Sequence, residues 1–368
     1  MNVKVRKKGK RENNKRKNRR HSEVNAKGQR YKIYNLKKRS ILEELYKSIQ
    51  YKSGKEEIFL SGFFGLETGD INEFLNSSEA IISCEKAHLF LNIENVTRLW
   101  PSGITMLSSL KQWRENGKEF YTAIPGISSS DSKSHKVNEY LNASGFYDFV
   151  GRQSQKAYKD LTPGNSIVKI SQELSKQNIE VREKEIKDLL KSNTRYDKDQ
   201  LELFDSIILT ETFLNVTEHG IVYSHQGWWI LAQLHKKHGF ISLNIADNGI
   251  GLRNTLLIGP QKDQIEKKLG TKEKHEGEFL KLAMEENVSG AFDASTKSGI
   301  LIGTYEKGSR RGNGLKRIKA TCKELRISFT ILSHFGFIRY NELGELDLYG
   351  SRKNRVFAGT LYHFKIPI

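Results

Sequence analysis

The chain has 368 residues, 37% hydrophobic and 28% charged, with a net charge of +18. That allows two domains of ordinary size plus linkers. No apolar run approaches the roughly 18–20 residues that span a bilayer, and no apolar segment follows the N-terminal charges as in a secretory signal. The two cysteines, Cys84 and Cys322, lie far apart. This excludes a disulfide framework and zinc-ligand spacing, and fits a cytoplasmic protein with both thiols packed in cores.

Residues 1–40 hold 17 Lys and Arg against Glu12 and Glu23, a net +15, so the rest of the chain is near neutral. A stretch such as VRKKGKRENNKRKNRR has too little apolar surface to fold and repels itself, so a disordered basic tail is expected over 1–40. It is either a solvated tail or an electrostatic arm for nucleic acid or an anionic membrane surface, because each phosphate contact releases counterions. The first aromatic is Tyr31, so stacking on bases is not expected and contact would be sequence-blind.

Residues 41–150 read as a small α/β domain. SILEELYKSIQY (40–51) has helical spacing, EIFLSGFF (57–64) is a strand, INEFLNSSEAI (71–81) a helix and HLFLNIENV (88–96) a strand. A helix over 102–117 stops at Gly117, and a strand over 119–126 and a helix over 136–146 follow. Residues 151–196 read as a helical connector, with IVKISQELSKQ and EVREKEIKDLLKS as charged, exposed helices. A second α/β unit covers 197–368: an opening helix, strands at 228–235 and 240–247, and a long irregular segment over about 252–311. A helix at 315–325 and strands at 326–334, 336–342 and 360–367 complete it. His235 and His238 have no third ligand in view and are expected to be exposed polar residues, whereas Trp228 and Trp229 are expected in packing.

Three motifs in the second unit carry chemistry. Leu201, Phe204 and Ile208 form a buried helical stripe that runs on, in LTETFLNVTEHG (209–220), into Glu211, Asn215 and His219. A desolvated carboxylate is costly, so this face must open onto something that satisfies it. In IADNGIG (245–251) a strand delivers Asp247, and Gly249 and Gly251 let the backbone turn tightly. In RRGNGLKRI (310–318) Gly312 and Gly314 open a helix whose free N–H groups favour an anion such as phosphate. These are the parts that a nucleotide and Mg²⁺ require, since Mg²⁺ takes oxygen ligands and keeps waters and phosphates.

The order Glu-x-x-x-Asn-x-x-x-His-Gly, Asp-x-Gly-x-Gly, Gly-x-Gly-Leu resembles the GHKL (Bergerat-fold) ATPases, the family of histidine kinases, gyrase B, heat-shock chaperones and anti-sigma-factor serine kinases. The resemblance covers about 197–368, with GTLYHFKIPI (359–368) similar to that domain's last strand. It implies that Asp247 accepts the adenine amino group with Thr360 in support, that Asn215 holds Mg²⁺, and that Glu211 is the general base. It also implies that Gly312 and Gly314 bring N–H groups to the phosphates and that 252–311 is the ATP lid, where Lys307, Arg310 and Arg311 add charge or form a solvated loop. His219 receives no certain chemical task; a satisfied buried imidazole is an equal reading.

HLFLNIENVTRLWPSGITMLSSL (88–110) is similar to the centre of STAS domains, anti-sigma-factor antagonists phosphorylated on a serine just ahead of a helix. Here Pro101 stands at that position, which puts a phospho-switch in doubt; Ser102 is expected to cap the helix. The domain is then expected to dock a partner or the ATPase unit of the same chain. Three functions follow from the two resemblances. The first is a Mg-ATP-binding regulatory protein, a slow ATPase whose lid closure signals to the STAS-like domain or to an unknown protein partner. The second is a serine/threonine kinase of the anti-sigma type. The third is a non-catalytic, ATP-dependent interaction module that engages nucleic acid through its tail. Dimerisation is left open.

Overall fold

A computed structural model of the protein describes residues 29, 32–44, 52–68, 71–115, 121–123, 132–149, 166–173, 178–220, 227–259, 261–269, 276–285 and 313–368. The chain is mixed α/β, with one parallel and one antiparallel sheet. A helix α1 over residues 32–44 comes first. Strands β1 (Lys52–Phe64), β2 (Lys86–Leu99) and β3 (Tyr121–Ala123) then form a parallel sheet in that order. Parallel neighbours need long crossovers, which helices α2 (Ile71–Ser83) and α3 (Pro101–Glu115) supply; α4 (Ser132–Ala143) and α5 (Phe146–Phe149) close the unit.

Among the described residues the second sheet has seven strands, in the order β4-β5-β6-β10-β7-β8-β9. Its members are β4 (Ile167–Glu173), β5 (Trp228–His235), β6 (Phe240–Asp247), β7 (Ser328–Ser333), β8 (Gly336–Tyr340), β9 (Leu346–Ser351) and β10 (Thr360–Pro367). Every neighbouring pair is antiparallel. β10 is inserted between β6 and β7, so the two parts of the sheet are joined through residues 360–367.

Both faces of this sheet are covered, and side-chain alternation sorts them. Trp228, Ile230, Ile241, Leu243 and Ile245 pack against α6 (Ile179–Asn193) and the helices beyond it. Trp229, Leu231, Ala246, Leu332 and Leu361 share a core with the first unit. Thus β6 is buried along all eight residues. Helix α3 lies between the two sheets, which is why ten consecutive residues, Pro101–Leu110, are buried. A polar chain crosses the same interface. Ser102 donates its N–H (3.0 Å) and its hydroxyl to the buried Glu67, whose Oε1 also accepts from Ser242 (2.7 Å). Asn244 donates to Ser242 (2.9 Å) and accepts from His363 Nδ1 (2.9 Å). Such a network is tolerable in a core because its members satisfy one another.

Five expectations change. The tail assigned to 1–40 is helical from residue 32, since Tyr34, Lys38 and Leu42 recur every four residues and are buried; residues 1–28 lie outside the described ones. IVKISQE is strand β4 and not a connector helix. Pairing with β5 gives its backbone a partner, and Arg182 of α6 neutralises the buried Glu173 at 2.7 Å. The segment expected to be irregular contains α9 (Gly251–Ile258), α10 (Lys262–Leu269) and α11 (Glu276–Glu285), around a small core of Leu256, Ile265, Phe279 and Ala283. Ser102 does not cap α3; its hydroxyl accepts from Leu66 N (2.7 Å) and ties the helix start to Glu67. His235 is buried against Trp100 and Phe240, and burial lowers it to about 4; His238 is exposed as expected. Cys84 and Cys322 are buried and unpaired, and Trp228 and Trp229 are buried on opposite faces of β5.

Candidate functional site

The site is built on a helical rod and the middle of the sheet. The rod runs from α7 (Lys198–Leu203) through a π turn (Phe204–Leu209) into α8 (Thr210–Asn215) and a second π turn (Val216–Gly220). It starts at a reciprocal capping box between Asp197 and Gln200. In a π turn the backbone bonds span five residues, an arrangement frequent at functional sites. Here the Thr210 hydroxyl also reaches back to the Asp205 carbonyl, at 3.0 Å. Glu211 and Asn215, one turn apart on α8, emerge half-buried.

Asp247 ends β6. Thr360 lies directly opposite it on β10 and Trp228 on β5, so strand register brings together residues 113 positions apart in the sequence. The carboxyl is buried; Gly249 N donates to its Oδ1 at 2.7 Å. Burial raises its pKa to about 7, against the backbone N–H groups of Gly249 and Thr360 and the charge of Lys38. Asn215, Asp247, Gly251 and Thr360 line one cleft, which Leu252, Thr255 and Tyr362 complete. Its volume out to the open mouth is about 210 Å³. Most of that space is open to solvent, and the enclosed part has room for little more than a water molecule. The buried Asn215 Nδ2 has no hydrogen-bond partner. It lies beside the Tyr362 hydroxyl and opposes the rise that burial gives that phenol.

Gly251 opens α9 with φ +74°, and a Cβ there would lie 1.9 Å from the buried His334 ring. Gly249 closes the loop onto Asp247 and does not line the cleft. Gly314 starts α12 (Gly314–Glu324) against the rod: a Cβ there would stand 2.6 Å from Glu211 Oε2. Glu211 pairs with Arg317 of α12 at 2.5 Å. Glu211 and Gly314 therefore form a second group, one helical turn from the cleft. Gly312, Lys307, Arg310 and Arg311, and the His219 side chain, lie outside the described residues.

Three contributors were not foreseen. Arg317 sits in the first turn of α12, where nothing in the sequence links it to Glu211. Asn248 backs the Asp247–Gly251 loop onto the first unit, accepting from the Ser109 hydroxyl (2.6 Å) and donating to the Ser109 carbonyl (2.9 Å) and to Gln112 (3.2 Å). Lys38 of α1 is 2% exposed and donates to the Glu218 carbonyl at 2.6 Å, one turn beyond Asn215. Its signal was the four-residue spacing of Tyr34, Lys38 and Leu42, hidden in a run of charges. No cluster of three or more His, Cys, Asp or Glu suited to a metal exists among the described residues, and none of their helices is long and apolar enough to cross a membrane. Comparison of the chain with protein-family models, curated proteins and solved structures finds no match in any of the three.

Proposed function

We propose that the protein is a Mg-ATP-binding regulator of the GHKL type with slow turnover. The observation that carries this reading is that Asn215, Asp247, Gly251 and Thr360, from separate stretches of the chain, line one cleft. A buried carboxyl at a strand end is an acceptor for an adenine amino group, and the unpartnered Asn215 amide fits a role beside a ligand. Mg²⁺ keeps several waters and takes other ligands from phosphates, so it would need few from the protein, and the Asn215 amide oxygen would be one of them. Glu211 and the N-terminus of α12 would face the phosphates, whose charge a helix N-terminus favours.

Slow turnover is supported by the Glu211–Arg317 pair, because a carboxylate held by a guanidinium is a weak base until the pair opens. The STAS-like unit then acts within the chain. Its Ser102 is fully buried and bonded to Glu67, and Pro101 has no hydroxyl to phosphorylate. Through Asn248 it touches the loop that presents Asp247, which supports coupling between cleft occupancy and interdomain contact.

Calorimetry of the full chain with ATP, with and without Mg²⁺, tests the reading. Asn215→Ala is expected to lose the magnesium-dependent part of the affinity, and Asp247→Asn to weaken ATP with or without the metal. With labelled ATP, free phosphate is expected to accumulate slowly; label on protein would point to the kinase instead. A wild-type chain that binds no ATP would end the proposal.

A further inference from the structure

We propose that the outer face of α1 docks on an anionic lipid bilayer: Ile33 and Leu36 enter the headgroup boundary, and the cations beside them hold the anionic headgroups. The inference is independent of the nucleotide reading and concerns a different face of the chain.

The two sides of α1 have different surroundings. Tyr34, Lys38 and Leu42 turn inward and are buried, and the Lys38 ammonium donates to the Glu218 carbonyl at 2.6 Å. That seats the helix on the body and decides which side is left outside. Ile33 and Leu36 stand in the middle of that side, 52% and 55% exposed. Positions three apart lie about 60° apart around a helix, so the two side chains form one ridge. Lys32 and Arg39 flank Leu36, and Lys37 flanks Ile33 on the opposite side, each within about 60°; all three are exposed. The footprint ends near Ser40, because Glu43 and Glu44 follow. Single exposed apolar side chains are ordinary. An apolar ridge between cations on both sides is the pattern of a helix lying in a membrane interface.

The sequence that leads into α1 adds charge of the same sign. Residues 1–28 carry 12 Lys and Arg against Glu12 and Glu23, a net +10. An anionic bilayer attracts basic residues within a Debye length of its surface. Charge alone would suit a nucleic acid equally. Ile33 and Leu36 decide between the two, because burying them is favourable only against an apolar partner. Such a partner lies just beneath lipid headgroups and is missing from a sugar-phosphate backbone. The apolar contact that a nucleic acid does offer, base stacking, takes aromatic side chains, and none is exposed among the described residues of α1.

The test is cosedimentation of the full-length chain with vesicles of phosphatidylcholine, alone or with about 30% phosphatidylserine, beside a gel-shift titration of duplex DNA at the same salt. Wild type is expected to partition onto the anionic vesicles at least about tenfold more strongly than onto the neutral ones, and less as salt rises. Ile33→Ser with Leu36→Ser should lower that partition at least about tenfold and leave any DNA binding unchanged. Should the pair disturb folding, Leu36→Ser alone decides, with an expected loss of about threefold or more. Leu36→Trp, which keeps an apolar group suited to the interface, should preserve binding. Combined Lys32→Ala, Lys37→Ala and Arg39→Ala should weaken it at least about tenfold. Equal partition of wild type and the serine variants would reduce the contact to unspecific charge and overturn the docking of α1. Wild type that shifts DNA but ignores anionic vesicles would assign the basic residues to nucleic acid, and binding to neither would leave Ile33 and Leu36 as ordinary surface residues. Either result overturns the inference and leaves the nucleotide site untouched.

Discussion

Two glycines with the same backbone conformation should respond very differently to one methyl group. Gly239 and Gly251 both have φ +74°, but a Cβ at Gly239 meets nothing within 4 Å, whereas at Gly251 it would lie 1.9 Å from His334 Cδ2 and 3.0 Å from Ser333 Oγ. An L-residue in the left-handed region costs about 1–2 kcal/mol, and that is the whole expected cost of Gly239→Ala. His334 is buried and is itself held at φ +44° in the β7–β8 turn, so its ring has no room to withdraw. Forcing atoms into such packing adds about 1–3 kcal/mol, so Gly251→Ala should cost about 2–5 kcal/mol in all. Denaturant unfolding of the full chain measures both variants. Adding His334→Ala to Gly251→Ala should recover the contact part of the loss and leave the backbone part, as a double-mutant cycle. Equal destabilisation by the two alanines, or no recovery in the double mutant, would refute the claim that His334 shapes the Asp247–Gly251 loop.

Other outcomes follow from the same packing. Arg114 is 1% exposed and donates to the carbonyls of Cys84 and Lys86 at 2.8 Å and of Ile81 at 3.3 Å. Arg114→Met strands two buried acceptors and one partly buried one, and should cost about 3–5 kcal/mol in denaturant unfolding; a loss under 1 kcal/mol would contradict this. Ser109→Ala removes one of the contacts that Asn248→Ala removes, so together they should cost little more than Asn248→Ala alone, with a coupling of about 1 kcal/mol; strict additivity would rule the hydroxyl contact out. Burial lowers His334 to about 3. Below pH 6.5 the unfolded chain takes up a proton that the folded ring refuses, so this group's stability is present above 6.5 and lost as pH falls, at about 1.4 kcal/mol per pH unit. His334→Asn should flatten the stability profile between pH 6.5 and 5 by that slope; parallel profiles would count against a neutral buried ring.

Much of the chain is legible from local pattern. β6 and β10 have the bounds their hydrophobic runs announce, and the stripe through Phe204 and Ile208 leads to Glu211 and Asn215 because both lie on one helix. The misreadings share a cause. IVKISQE looks like a helix until β5 offers it hydrogen-bond partners, and Lys38 looks like one more solvated charge until α1 packs against the body.

The sequence by itself determined which residues could do chemistry and on which kind of element each would sit, because glycine turns, caps and apolar periodicity are set by neighbours a few positions away. Tertiary structure decided which of them meet. Insertion of β10 beside β6 sets Thr360 against Asp247, and burial of both sheet faces sandwiches α3. Arg317 closes on Glu211 and Lys38 reaches Glu218. Such pairings depend on long-range register and on the price of burying charge, neither of which a short stretch of sequence encodes.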